Sequence, residues 1–150
     1  MRVPEADVDT PAAKPSVEAT VTEVLVVDDS KVMREMIAAC LRPDPRLVIT
    51  QAASGLEAIE RLSLKSYDIL VLDLNMPDIG GLEVVEFVRG QDKLSALPIL
   101  IVTTRAEDDS RARILAAGAS HYMTKPFAPE AILVEVQSLL ETKHTPSVAG

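Results

Sequence analysis

The chain has 150 residues and a net charge of −8 at neutral pH, enough for one domain with a full core but short for two ordinary ones. So acidic a composition lacks the clustered Lys and Arg of a nucleic-acid footprint, and DNA binding by this chain alone is not expected. A single cysteine, Cys40, excludes an internal disulfide, and no apolar run approaches the ~18 residues of a membrane span, so a soluble, cytoplasmic protein is expected.

Residues 1–21 carry Pro4, Pro11 and Pro15 among Ala, Thr and the acids Glu5, Asp7, Asp9 and Glu18, with no periodic apolar face. They are predicted to form a flexible tail, and their acidic composition rules out a signal peptide. From Val24 the pattern changes to Val24-Leu25-Val26-Val27, apolar on both faces as in a buried strand of a parallel sheet. Ser30 can cap a helix whose apolar stripe is Met33, Met36, Ile37, Cys40 and Leu41, ended by Pro43 and Pro45. A second strand is predicted at Leu47–Ile49, a helix marked by Leu56, Ile59 and Leu62, and a third strand at Ile69–Leu72. Gly80-Gly81 turns into a helix marked by Leu82, Val85 and Val88, and a fourth strand follows at Ile99–Val102. Asp108 or Asp109 opens a helix carrying Ile114 and Leu115, closed by Gly118 as a left-handed cap. A weaker strand at His121–Thr124 precedes a last helix that begins near Pro129 and carries Ile132, Leu133, Val136, Leu139 and Leu140. The folded unit is expected over 22–143, with 144–150 frayed. Strand and helix alternating five times predict an open parallel sheet, helices on both faces, and a site beyond the carboxyl ends of the strands.

Those ends carry Asp28 and Asp29, Asp73, Thr103 and Lys125. Each alone has an ordinary reading: a strand-end acid caps or turns, a threonine ends a strand, and a lysine before Pro126 is a surface residue. Together they are harder to dismiss. Three carboxylates within about 5 Å repel by roughly 1 kcal/mol per pair in water and by several times that when partly buried, which a divalent cation would relieve. With that ion, a free carboxylate, a lysine and a hydroxyl, the pocket suits a phosphoryl group. In Asp73-Leu74-Asn75-Met76-Pro77 the proline holds Met76 extended and leaves loop carbonyls free for a metal. Lys125-Pro126 is a peptide that can be cis at a strand end. Tyr122 is read either as a packing residue or as part of the site. His121 and His144 lack a second His or Cys at ligand spacing, and Cys40 is expected to be a small core residue.

Four separated motifs, Val26-Val27-Asp28-Asp29-Ser30, Asp73-Leu74-Asn75-Met76-Pro77 with Gly81, Val102-Thr103-Thr104 and Lys125-Pro126-Phe127, carry a resemblance over roughly residues 23–142. The chain resembles a response regulator receiver domain and looks closest to the stand-alone CheY-like kind. The resemblance implies a doubly wound α/β, flavodoxin-like (βα)5 fold with strand order 2-1-3-4-5. It implies Asp73 as the phosphoacceptor and Mg²⁺, with Mn²⁺ able to substitute, on Asp29, Asp73 and the Asn75 backbone carbonyl, with Asp28 acting mainly through water. Lys125, Thr103 and the Thr104 backbone would contact the phosphoryl group, and Thr103 with Tyr122 would form the switch. The implied phosphodonor is a sensor histidine kinase or a histidine phosphotransfer protein, and an unspecified protein target docks on the fourth helix, fifth strand and fifth helix. The implied role is single-domain signalling in two-component transduction, chemotaxis included, or passage of phosphate along a relay. It involves no catalysis beyond the domain's own phosphorylation and dephosphorylation, no nucleic acid, no membrane insertion, and a monomer or weak dimer; an attached effector domain is not expected at this length. Thr104 departs from the Ala or Gly often found there. A haloacid-dehalogenase-like phosphatase is disfavoured because Asn75 stands where that family has its general acid, and a flavin or nucleotide binder because the first loop offers two acids and no Gly-rich turn.

Overall fold

The computed structural model describes residues 21–104 and 108–144. Five strands, β1 (Thr22–Val27), β2 (Leu47–Ala52), β3 (Ile69–Leu72), β4 (Ile99–Thr104) and β5 (His121–Lys125), alternate with five helices. These are α1 (Lys31–Leu41), α2 (Gly55–Leu64), α3 (Gly81–Gly90), α4 (Asp108–Ala117) and α5 (Pro129–His144). All strand pairs are parallel, in the order β2-β1-β3-β4-β5, which is the expected doubly wound arrangement. The expectations for residues 1–20 and 145–150 concern segments outside the described residues.

The period of two along each apolar strand supplies both halves of the core. Leu25, Val27, Leu70, Leu72, Ile99 and Ile101 point to one face and meet Ala58 and Leu62 of α2, Val84, Val85 and Val88 of α3, and Ile114 of α4. Their neighbours Val24, Val26, Ile69, Val71, Leu100 and Val102 point to the other, against Ile37 and Leu41 of α1 and Ile132, Val136 and Leu140 of α5. Burying one such side chain contributes about 1.5–3 kcal/mol, which is why unbroken apolar runs occupy the three central strands.

Helix starts follow their caps. Ser30 Oγ accepts from Met33 N at 3.2 Å, and Ser54 Oγ accepts from Glu57 N at 3.0 Å while Glu57 Oε1 accepts from Ala53 N at 2.8 Å. Gly118 ends α4 at φ +123°, and a Cβ there would meet Arg89 Cγ at 2.7 Å. The crowding follows from Arg89, whose Nε donates to Gly118 O and whose Nη1 donates to Leu97 O, tying α3 to the chain on both sides of β4.

Three expectations need correction. β2 runs to Ala52, beyond the predicted Ile49, and only Ala52 in it is buried, because β2 lies at the sheet edge. Met36 is 47% exposed and Ala38 takes its place in the buried stripe of α1. Leu56 and Leu115 are also exposed, with Ala58, Leu62 and Ile114 serving the core instead. A short 3-10 turn at Asp92–Leu94 went unanticipated.

One buried acid lies away from the strand ends that carry the candidate residues. Asp44, in the turn between α1 and β2, is 7% exposed and accepts from Arg46 N, Arg46 Nε, Arg46 Nη2 and Gln137 Nε2 of α5. Those bonds, the Arg46 guanidinium foremost, hold its carboxyl far below the usual carboxylate range. A depressed acid stabilises the fold above the unfolded pKa of about 4 and loses that contribution as pH falls through the folded value. Asp44→Ala should therefore lower stability at pH 7 by about 1–3 kcal/mol, with most of the Arg46 share screened by solvent. The gap between variant and wild type should narrow below about pH 4. Thermal melts by circular dichroism across that range check it.

Candidate functional site

Parallel register brings the strand ends level. Val27 pairs with Leu72, so the next residues, Asp28 and Asp73, stand side by side, with Asp73 N donating to Val27 O at 3.0 Å. Thr103 pairs with Thr124 and Thr104 with Lys125, which brings the ends of β4 and β5 to the same pole. Asp28 is 1%, Asp73 5% and Thr103 0% exposed, while Asp29 is exposed.

Buried acids without partners would be costly, and each buried one here has them. Lys125 Nζ lies 2.7 Å from Asp28 Oδ2 and 3.8 Å from Asp73 Oδ1. The other Asp28 oxygen, Oδ1, accepts from Ser30 N at 2.9 Å. Asn75 Nδ2 donates to Thr103 Oγ1 at 3.3 Å. Desolvation pushes the Asp73 carboxyl above its ordinary value, the neighbouring Asp28 adds to this, and Lys125, the Thr103 hydroxyl and the Asn75 backbone amide oppose it. On balance the site disfavours the charged form of Asp73.

Asp28, Asp29 and Asp73 each offer a carboxylate oxygen, all within 4.8 Å of one another. Like charges so close, with one ammonium among them, fit a divalent cation by number, hardness and placement of donors. The site residues anticipated from sequence thus converge: Asp28, Asp29, Asp73, Asn75, Thr103 and Lys125 share one mouth. Thr104 lies exposed at the end of β4. Tyr122 is buried at 5% exposure, its Oη has no hydrogen-bond partner among the described residues, and the Arg111 guanidinium of α4 lies 5.5 Å over its ring. The Lys125–Pro126 peptide is cis. His121 pairs with Glu135 of α5 at 3.4 Å, and Cys40 is half-buried beside the α1–α5 core.

Two residues around the mouth were missed. Asp78, in the loop after Asp73, accepts from Gly55 N and Leu56 N and so caps α2 from outside. Arg34 of α1 donates from Nη1 to the Asp28 carbonyl at 2.8 Å. Neither carries a signal in the sequence, because their partners lie on other elements.

This sheet, with an acid cluster and a lysine at the carboxyl ends of its strands, has the form of a phosphoacceptor module. The chain matches the response regulator receiver domain family over residues 24–137 and belongs to it; it is the receiver domain of a two-component response regulator, of CheY-like kind. Among its relatives is a chemotaxis protein CheY homolog of Campylobacter jejuni, 37% identical over 122 residues that cover 80% of this chain and 93% of the relative. The chain spans far less of two others, 8% of the hybrid signal transduction histidine kinase D of Dictyostelium discoideum (34% identical over 80% of this chain) and 49% of the probable transcriptional regulatory protein TcrX of Mycobacterium tuberculosis (37% over 78%). The solved structure of the chemotaxis response regulator CheY4 of Vibrio cholerae superposes with a TM-score of 0.74 at 35% identity, covering 80% of this chain and 99% of that one.

Proposed function

We propose that Asp73 accepts a phosphoryl group from the phosphohistidine of a sensor kinase or histidine phosphotransfer protein, and that the resulting charge re-sets the α4–β5–α5 surface for a protein target. The observation that carries this reading is the Asp73 carboxylate itself: 5% exposed, 3.8 Å from Lys125 Nζ and one of three acids whose oxygens lie within 4.8 Å. Residues 22–143 form the working receiver unit, in the cytoplasm, monomeric or weakly dimeric, without nucleic acid. Relatives named as chemotaxis proteins support a place in chemotaxis.

An Asp73 carboxylate oxygen attacks phosphorus in line with the departing imidazole nitrogen; the P–N bond breaks, its electron pair stays on the ring, and an acyl phosphate remains. Asp29, Asp73 and the Asn75 carbonyl would hold Mg²⁺ or Mn²⁺ directly, with Asp28 behind them. Such an ion, when bound, neutralises charge on the transferring oxygens. Lys125 pairs with one phosphoryl oxygen, giving up its longer contact to Asp73. Thr103 exchanges the Asn75 amide for the phosphoryl group, donating its hydroxyl, and the Thr104 backbone N–H offers a further donor. Tyr122, which pairs with Ile101 two residues before Thr103 in the β4–β5 register, carries that shift towards α4. Adding about −1.5 to −2 charge here creates new charge-assisted bonds that bias the loop. The domain promotes its own phosphorylation and hydrolysis and turns over no separate substrate.

The test is incubation with acetyl phosphate, with Mg²⁺ or with a chelator, followed by intact mass. One added phosphoryl group only when the ion is present supports the reading; no gain in either sample sinks it. Thr104 supplies a second prediction. It is exposed at the end of β4, next to Thr103; read as narrowing the route of attacking water, it predicts that Thr104→Ala loses the phosphoryl group several-fold faster than wild type. Decay of the phosphorylated mass after donor removal measures this, and an unchanged rate discards the idea.

A further inference from the structure

Of the three clustered acids, Asp29 alone has no bond to hold its side chain. Asp28 is tied by Lys125 and Ser30, and Asp73 by Lys125, Thr103 and Asn75. Asp29 is exposed, and its carboxylate makes no hydrogen bond among the described residues. Its place therefore depends on the backbone, and the backbone there is clamped from outside the cluster. Asp28 N donates to Ala52 O of β2 at 3.2 Å, fixing the peptide before Asp28. The peptide after it, which joins Asp28 to Asp29, is fixed by Arg34: Nη1 donates to Asp28 O at 2.8 Å while Nε donates to Gln51 Oε1 at 3.0 Å. Gln51 is itself held, pairing with Val26 across the β1–β2 ladder and donating from Nε2 to Glu35 Oε2 at 3.4 Å. A guanidinium presents two separate nitrogens in a rigid fork, one to each acceptor, a geometry that an ammonium on its flexible stem does not reproduce.

We propose that Arg34 is the positioning residue of the cation site: by anchoring the Asp28–Asp29 peptide to β2 through Gln51, it holds the Asp29 carboxylate within reach of Asp73. The inference deepens the reading of the acid cluster as a divalent-ion site and rests on it. Its sign separates it from plain electrostatics. A positive charge near a cation site opposes binding, so loss of the Arg34 charge alone should tighten the ion. Loss of the clamp frees one residue that binding must then order, at a cost that weakens affinity about 5- to 30-fold.

Calorimetric titration with Mg²⁺ of wild type, Arg34→Ala, Arg34→Lys and Gln51→Leu tests it, with melting temperatures recorded in parallel. Arg34→Ala should bind about tenfold more weakly, Arg34→Lys and Gln51→Leu in between. With acetyl phosphate as donor, the Mg²⁺ concentration for half-maximal rate should rise while the rate at saturating Mg²⁺ stays near that of wild type, a split that a general loss of structure would not produce. Folded Arg34→Ala that binds Mg²⁺ as tightly as wild type, or more tightly, overturns the inference. Should Arg34→Ala not fold, Gln51→Leu carries the test, and unchanged binding there overturns it equally. Wild type that binds no Mg²⁺ overturns the site reading instead, which keeps the two failures distinct.

Discussion

Asp73→Asn gains no phosphoryl mass from acetyl phosphate and Mg²⁺, and without divalent ions it melts higher than wild type. The first result follows from chemistry: an amide offers no anionic oxygen to attack phosphorus, and no other described acid combines burial with Lys125, Thr103 and Asn75 around it. The second follows from charge. Burial first, then Asp28, raises the Asp73 pKa. A carboxyl whose folded pKa lies above its unfolded value destabilises the fold as pH rises from the unfolded value through the folded one, so at neutral pH the ionised group opposes folding. Removing it relieves that repulsion, worth about 4 °C of melting temperature per kcal/mol for a domain of this size. Mg²⁺ should raise the wild-type melting temperature and move the variant less, since one carboxylate ligand is gone. Intact mass and melts with and without Mg²⁺ read both effects, and a variant that still takes up phosphate would place the acceptor elsewhere.

Lys125→Ala is expected to slow phosphorylation about 10²-fold or more at saturating Mg²⁺, the usual effect of removing one preorganised donor from a charge-developing site. It should also cost stability. Asp28 is 1% exposed and its Oδ2 lies 2.7 Å from the lysine ammonium, so truncation leaves a buried carboxylate unpaired, at about 3–5 kcal/mol. Divalent ions should recover part of that loss by standing in for the missing charge, and Asp28→Asn in the same chain should recover more of the stability but none of the phosphorylation. Urea unfolding with and without Mg²⁺, alongside the phosphorylation rate, separates the two roles. A wild-type rate in Lys125→Ala would remove the lysine from the chemistry.

The positions that departed from expectation share a cause. Met36 and Ala38 both lie next to the stripe of α1, and which of them is buried depends on how α1 leans on α5 and the sheet, not on the helical period alone. Leu56 looked like a core position of α2, yet α2 opens at Gly55, where a Cβ would collide with the backbone of Ile79; the close approach leaves Leu56 on the outside, 60% exposed. The apolar residues of β2 end at Ile49, and nothing in that composition says that the strand runs on through Thr50 and Gln51 to Ala52.

Local pattern determined the elements and the membership of the site. Apolar runs of period two, helical stripes with caps, and Asp28, Asp29, Asp73, Thr103 and Lys125 at strand ends are properties of neighbouring residues, and parallel strands of similar length necessarily bring such ends to one pole. Tertiary structure alone decided how the site is held. Arg34 meets Gln51, Asp78 meets Gly55 and Lys125 meets Asp28, pairs far apart in the chain whose geometry depends on register and helix packing. Hydrogen bonds act over about 3 Å, so a partner brought near by folding leaves no trace in the order of the residues.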